Sequence, residues 1–194
     1  MSACRIEARF RMDAERLEID IDLSTVQREA ERVRSMLRDL VRRFDLRPFE
    51  YSREVRIAPT EIPHSHPRIT LNTWVKSEIG LLSTYLHEQM HWYVTWYSHA
   101  STPRWQAMLA SLRDRYPSTP PPAQCGARDE FSTHLHLVVN WLEIEVASRF
   151  IERSNVIGHV LALPFYQWIY QLLLKIGSRS ERSIGSPACY RSGM

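Results

Sequence analysis

From Val26 onward the apolar residues recur at helical spacing, through Ala30, Val33, Leu37, Leu40, Val41 and Phe44, with arginines and acids between them. This stripe predicts an amphipathic helix ending near Asp45, with Pro48 just beyond. Ser24 stands three residues before Gln27, in the pattern of a capping box. Ahead of it, Ile19, Ile21 and Leu23 alternate with Asp20 and Asp22, so Cys4 to Leu23 could begin as a strand. Between Glu54 and Thr73 the period shortens to two. Val55 and Ile57 alternate with Glu54 and Arg56, and Ile69 and Leu71 with Thr70 and Asn72, on either side of a loop carrying Pro59, Pro63 and Pro67. Ser77 can cap a second helix over about Glu78 to His99, whose apolar positions include Ile79, Leu82, Leu86, Met90 and Val94. Pro103 suits the first turn of a third helix bearing Trp105, Met108, Leu109 and Leu112.

Pro117 to Asp129 reads as a loop, since prolines, Gly126 and small polar residues crowd it. A fourth helix is expected over Glu130 to Arg153. Pro164 then opens an aromatic, apolar helix reaching about Ile176, and the polar run after it reads as frayed. Helix, strands, then helices in that order predict an α+β fold, a small sheet packed on several helices. The boundaries expected are a single domain over 1–180 and a flexible tail over 181–194.

Composition narrows the function classes. At 194 residues, with 44% hydrophobic and 24% charged, the chain can bury a core without metal or disulfides. The formal charge of +3 is slight, and the basic excess between Arg28 and Arg43 and between Lys175 and Arg191 reads as solvated surface. Nucleic acid is therefore not the expected partner. Cys4, Cys125 and Cys189 are odd in number and widely spaced, which fits reduced thiols better than a disulfide framework. No apolar signal core opens the chain and no run is long enough to span a bilayer, so the expectation is a cytoplasmic protein with no membrane partner.

The chemistry concentrates in Leu86-His87-Glu88-Gln89-Met90-His91-Trp92. Histidines at i and i+4 lie on one helix face, so His87 and His91 can reach one cation, with imidazole nitrogens suited to Zn2+. Glu88 then falls where its carboxylate can serve a water as general base. The alternative is two interior histidines bonded to carbonyls. A catalytic site needs a third protein ligand, and the fourth helix offers His136, Asn140 and Glu143 on one face, while His134 points elsewhere. Seven residues of helix span about 10.5 Å, so His136 and Glu143 cannot readily share one ion. His136 is the preferred ligand, Asn140 a possible partner to a ligand, and Glu143 either a supporting group or the third ligand itself. The bland alternative pairs Glu143 with Arg128 or Arg149 and leaves His136 in the core.

The string resembles the HExxH motif of the zincin metallopeptidases. More closely, the chain resembles a little-characterised group of small bacterial HExxH proteins over about Ser65 to Tyr170. The similarity runs through Ser65-His66-Pro67, Thr70-Leu71-Asn72-Thr73, the HEQMH string, His136 to Val139 with Leu142-Glu143, and Trp168-Ile169-Tyr170. It implies a zincin-like fold, His87 and His91 as ligands, and Glu88 as base. Val94 and Ser98 stand where an extended HExxHxxGxxH motif would need Gly and His, which excludes a metzincin. The expected function is zinc-dependent hydrolysis of peptide bonds, with a peptide or protein substrate added as a further strand along Arg68 to Thr73. The alternative is a non-catalytic zinc-binding regulatory or interaction module. His64 and His66 could guard the cleft, though a polar loop is preferred, and His99 reads as a helix-end residue. His159, Tyr166 and Tyr170 could donate to an oxyanion. The preferred reading there is a core stripe of Phe165, Trp168, Ile169 and Leu172, with the tyrosines at its rim.

Overall fold

The computed structural model describes residues 18–21, 27–120 and 127–184, with backbone alone over 18–21 and 178–184. In chain order the elements are β1 (Glu18–Ile21), α1 (Gln27–Arg43), a 3-10 turn (Arg47–Phe49), β2 (Glu54–Ile57), β3 (Ile69–Leu71), α2 (Glu78–Ala100), α3 (Thr102–Arg115), α4 (Glu130–Ala147), α5 (Arg153–Ala162) and α6 (Gln167–Ile184). The strands form one parallel sheet in the order β1-β2-β3, with Val55 beside Ile69 and Ile57 beside Leu71. A small parallel sheet with a majority of helices is the coarse α+β class expected. The candidate capping box at Ser24 and most of the Cys4–Leu23 segment lie outside the described residues.

The apolar stripe of α1 folds as its period dictates: Ala30, Val33, Leu37 and Leu40 are fully buried. They share one core with Val55, Ile57, Ile69 and Leu71 of the sheet and Leu81, Leu82, Tyr85 and Leu86 of α2. The first half of α2 is therefore buried, packed against α1, β3 and α4, while Trp96, His99 and Ala100 toward its end are exposed. Arg32 of α1 fixes the chain just ahead of α2, its guanidinium donating to the carbonyls of Thr73 and Val75 at 3.1 and 2.7 Å.

Three boundaries differ from the sequence reading. Helix α4 stops at Ala147 rather than Arg153, because the chain turns over Ser148 to Ile151 with N–H groups bonded back to Ile144, Val146 and Ala147. That turn sets the Phe150 ring 5.5 Å from Phe44 and 5.9 Å from Phe49, packing that no Gly or Pro in the sequence announces. A separate α5 follows it. Finally, α6 begins at Gln167 rather than at Pro164 and runs on to Ile184, past the expected end near Ile176, so residues 177–184 are helical where a frayed segment and the start of a tail were expected. Gly177 has open space where a side chain would stand, so the helix passes through it along a solvent face. Residues 185–194 lie outside the described part.

Candidate metal centre

Helix α2 begins at Ser77, whose side chain accepts from the Gly80 N–H at 3.2 Å, satisfying one of the free donors of the first turn. Its register is then locked from behind by Gln89. The fully buried Gln89 amide accepts from the Tyr51 and Ser52 N–H groups at 2.8 and 3.0 Å and donates to the Ser52 carbonyl at 2.7 Å and the Tyr85 hydroxyl at 2.9 Å. Every polar atom of the amide is engaged. With Gln89 held toward the loop before β2, His87 and His91 project toward α4 one helical turn apart.

There the Nε2 atoms of His87 and His91 approach to 3.2 Å. His136 of α4 joins them, so that one ligand atom from each of the three histidines lies within 4.8 Å of the others. Each ring is steered by its far nitrogen where a partner is present. His87 donates from Nδ1 to the Glu143 Oε2 at 2.9 Å, and His136 donates from Nδ1 to the Ser132 carbonyl at 2.6 Å. Both tautomers thereby leave the Nε2 lone pair for the centre. Ser132 is itself placed by Asp129, which caps α4 by accepting from the Ser132 N–H at 2.6 Å.

Glu143 is almost wholly buried and accepts three hydrogen bonds, from His87 Nδ1, from the Tyr170 hydroxyl at 2.9 Å, and from Ser83 Oγ. It stands behind His87 and is not in the three-histidine group. The alternative arginine pairings are not made: Arg128 pairs with Asp129, and the Arg149 guanidinium lies 5.2 Å over the Phe49 ring. Asn140 is fully buried between these two positions on α4, and neither its amide nitrogen nor its oxygen has a partner in the structure, so its anticipated pairing with a ligand is not made.

Electrostatics keeps two of the imidazoles neutral. Burial, then the neighbouring His87, His136 and His66, push His91 down to about 2, and burial with His87 pushes His136 down to about 4. Burial also opposes a charge on His87. The hydrogen bond and charge of Glu143, with Glu88 adding, leave that group above the ordinary histidine value. Glu88 is buried beside the cluster, and desolvation drives its carboxyl up to about 7, only partly offset by His87 and His64. Imidazole nitrogens suit a borderline divalent cation such as zinc, copper, iron or nickel.

The remaining candidates fall into place around this centre. His134 is buried away from it, its ring bridging the carbonyls of Glu130 and Tyr116 at 2.9 and 3.0 Å. His99 is exposed at the end of α2. His66 stacks on Trp92 at 4.1 Å, and Trp92 donates to the Ser65 carbonyl at 2.8 Å, so the His64–His66 segment rests against α2 one residue beyond His91. The same segment occupies the outer edge of β3. Leu71 turns its carbonyl toward β2, accepting from Ala58, and the outward groups of Thr70 pair with His64 at 2.7 and 3.1 Å. The expected addition of a peptide strand to β3 is thus blocked at Thr70 by the chain itself. The aromatic stripe also reads differently. Ile169 and Tyr170 are core, while Phe165 is 53% exposed, so Tyr170 is not a rim residue. Tyr166 faces the centre, its hydroxyl 3.0 Å from His136 Nε2. Ser83, Ser132 and Gln89 were missed by sequence reasoning. Ser83 and Ser132 each lie one turn before a histidine of the cluster, a spacing that could have marked them.

Comparison with protein-family models, with curated proteins and with solved structures finds no match to this chain in any of the three. Three histidines close enough to hold a metal ion, on a helical scaffold with a small parallel sheet, are therefore what the chain itself provides.

Proposed function

We propose that the chain is a zinc-dependent peptide hydrolase on a zincin-like scaffold, with His87, His91 and His136 as ligands and Glu88 as general base. The observation that carries this reading is the convergence of three imidazole nitrogens beside a buried carboxylate. A zinc ion bound there supplies a water acidified to near neutrality and polarises a carbonyl. Glu88 takes a proton from the attacking water onto its carboxylate and returns it to the leaving amine. A carboxyl raised to about 7 is matched to both halves of that transfer. Glu143 holds the His87 ring in the tautomer and orientation the ligand role requires. No helix among the described residues is long and apolar enough to cross a membrane.

The covered edge at Thr70 favours a second reading, a zinc-binding regulatory or interaction module without hydrolysis, because the strand that would receive a peptide is already paired with His64. Glu88→Gln separates the two. In the hydrolase it keeps the zinc and the fold and abolishes cleavage of a peptide or protein library that the unaltered protein cuts. Turnover by the variant at the unaltered rate contradicts the assignment of Glu88, and absence of any cleavage by the unaltered protein supports the module.

A further inference from the structure

The second half of α2 carries an exposed aromatic face. Trp92 and Trp96 lie one turn apart on the side of the helix opposite the buried Val94, with Tyr93 and Tyr97 beside them. No Asp, Glu, Lys or Arg stands between Gln89 and Ala100. Tyr93 is the hub of the group: its ring lies 5.2 Å from Tyr51, which precedes β2, and 6.1 Å from both Trp96 and Tyr97. Tyr51 and Trp96 are 41% and 60% exposed, so these outer rings open to solvent. A single exposed aromatic is ordinary, but a contiguous, uncharged group of them marks a binding surface. The face also offers donors. The Trp92 indole N–H is taken by the Ser65 carbonyl, which leaves the indole of Trp96 and the phenols of Tyr51, Tyr93 and Tyr97 for a partner. Burial, then the neighbouring Tyr93, hold the Tyr51 phenol above its ordinary value, so its proton stays in place.

We propose that this face is a docking surface for a proline-rich segment of a partner polypeptide. The chemistry of the two sides matches. Proline has no N–H, so a proline-rich segment presents carbonyl acceptors and few donors, and the phenols and indole answer with donors. Its pyrrolidine rings pack flat on aromatic rings, and its extended left-handed helix is preformed, so docking orders little further chain. An acidic or basic peptide finds no counter-charge on the face, and a second copy of it sets indole donor against indole donor. A segment held here lies beside the centre, since Glu88, Trp92 and Trp96 succeed one another by single helical turns. The inference itself does not rest on the metal.

The test is isothermal titration calorimetry of the full chain with end-blocked decaproline, against an end-blocked Gly-Ser peptide of equal length and against cellotetraose. The unaltered protein should bind decaproline saturably and neither control. Trp96→Ala and Tyr51→Ala truncate exposed rings, so the fold survives, as circular dichroism checks. Each should weaken decaproline binding roughly 10-fold or more, the usual cost of losing an anchoring aromatic. Trp141→Ala removes a ring that is 51% exposed on α4 and should leave the affinity unchanged. Absence of decaproline binding by the unaltered protein overturns the proposal, as does equal binding of the Gly-Ser peptide or equal weakening by Trp141→Ala. Preference for cellotetraose overturns it in favour of a glycan platform. A dimer that Trp96→Ala dissolves, with no peptide bound, overturns it in favour of a second copy. Zinc content and hydrolysis enter none of these outcomes, so this proposal and the metal reading stand or fall separately.

Discussion

His136 and Glu143 both face α2, and the account gives them unequal roles that zinc affinity can separate. His136→Ala removes one of three ligand nitrogens. Structural zinc sites bind with about 10–16 kcal/mol through four ligands, or roughly 2.5–4 kcal/mol for each. Losing His136 should therefore weaken zinc binding roughly 100- to 1,000-fold. Glu143→Gln is milder for a reason visible in its contacts. The Gln oxygen can still accept from His87 Nδ1 and the Tyr170 hydroxyl, and its amide can donate to Ser83 Oγ, so three contacts survive and only the charge is lost. A charge-assisted hydrogen bond exceeds a neutral one by about 1 kcal/mol. The expected loss is therefore about 5-fold, just below the 10- to 100-fold typical of groups that orient a ligand. Competition with a chromophoric chelator measures both variants, with circular dichroism confirming their folds. A larger loss for Glu143→Gln than for His136→Ala would make Glu143 the ligand. Unaltered affinity in both would show that neither residue serves the metal.

Two further substitutions probe the helix that carries the centre. Glu88→Gln should lower kcat by roughly 100- to 10,000-fold, the usual worth of a general base, while zinc content, read by elemental analysis, stays unchanged; loss of the zinc would make Glu88 a ligand. Gln89→Leu should destabilise the fold by about 2–4 kcal/mol, since it strands the Tyr51 and Ser52 N–H groups and the Ser52 carbonyl. A cost below about 1 kcal/mol in denaturant unfolding would show that Gln89 does not set the register of α2.

The parts of the molecule written in periodic burial were legible in the sequence. Val33, Leu37 and Leu40 announced α1, Ser77 announced the start of α2, and the alternation around Val55 and Ile69 announced two strands. His87 and His91 were legible for the same reason, since a spacing of one turn is a local property. What remained illegible depends on contacts between distant segments. The break after Ala147 goes together with Phe150 packing on Phe44 and Phe49, and a single helix to Arg153 is the natural reading without those contacts. The covering of Thr70 by His64 needs a loop to fold back on its own strand. Whether His136 or Glu143 meets His87 and His91 was open in the sequence because both share a face of α4. The structure brings His136 to the group and sets Glu143 behind His87, where three donors converge on it. Tyr166 faces the centre because of one left-handed residue ahead of α6, which neither Gly nor Asn marks.

The central claim, that His87, His91 and His136 hold a zinc ion, is tested most directly by the metal content of protein purified without chelator. Elemental analysis should find about one zinc per chain in the unaltered protein and almost none in the folded His87→Ala, His91→Ala double variant. A folded double variant that retains its full zinc would contradict the account.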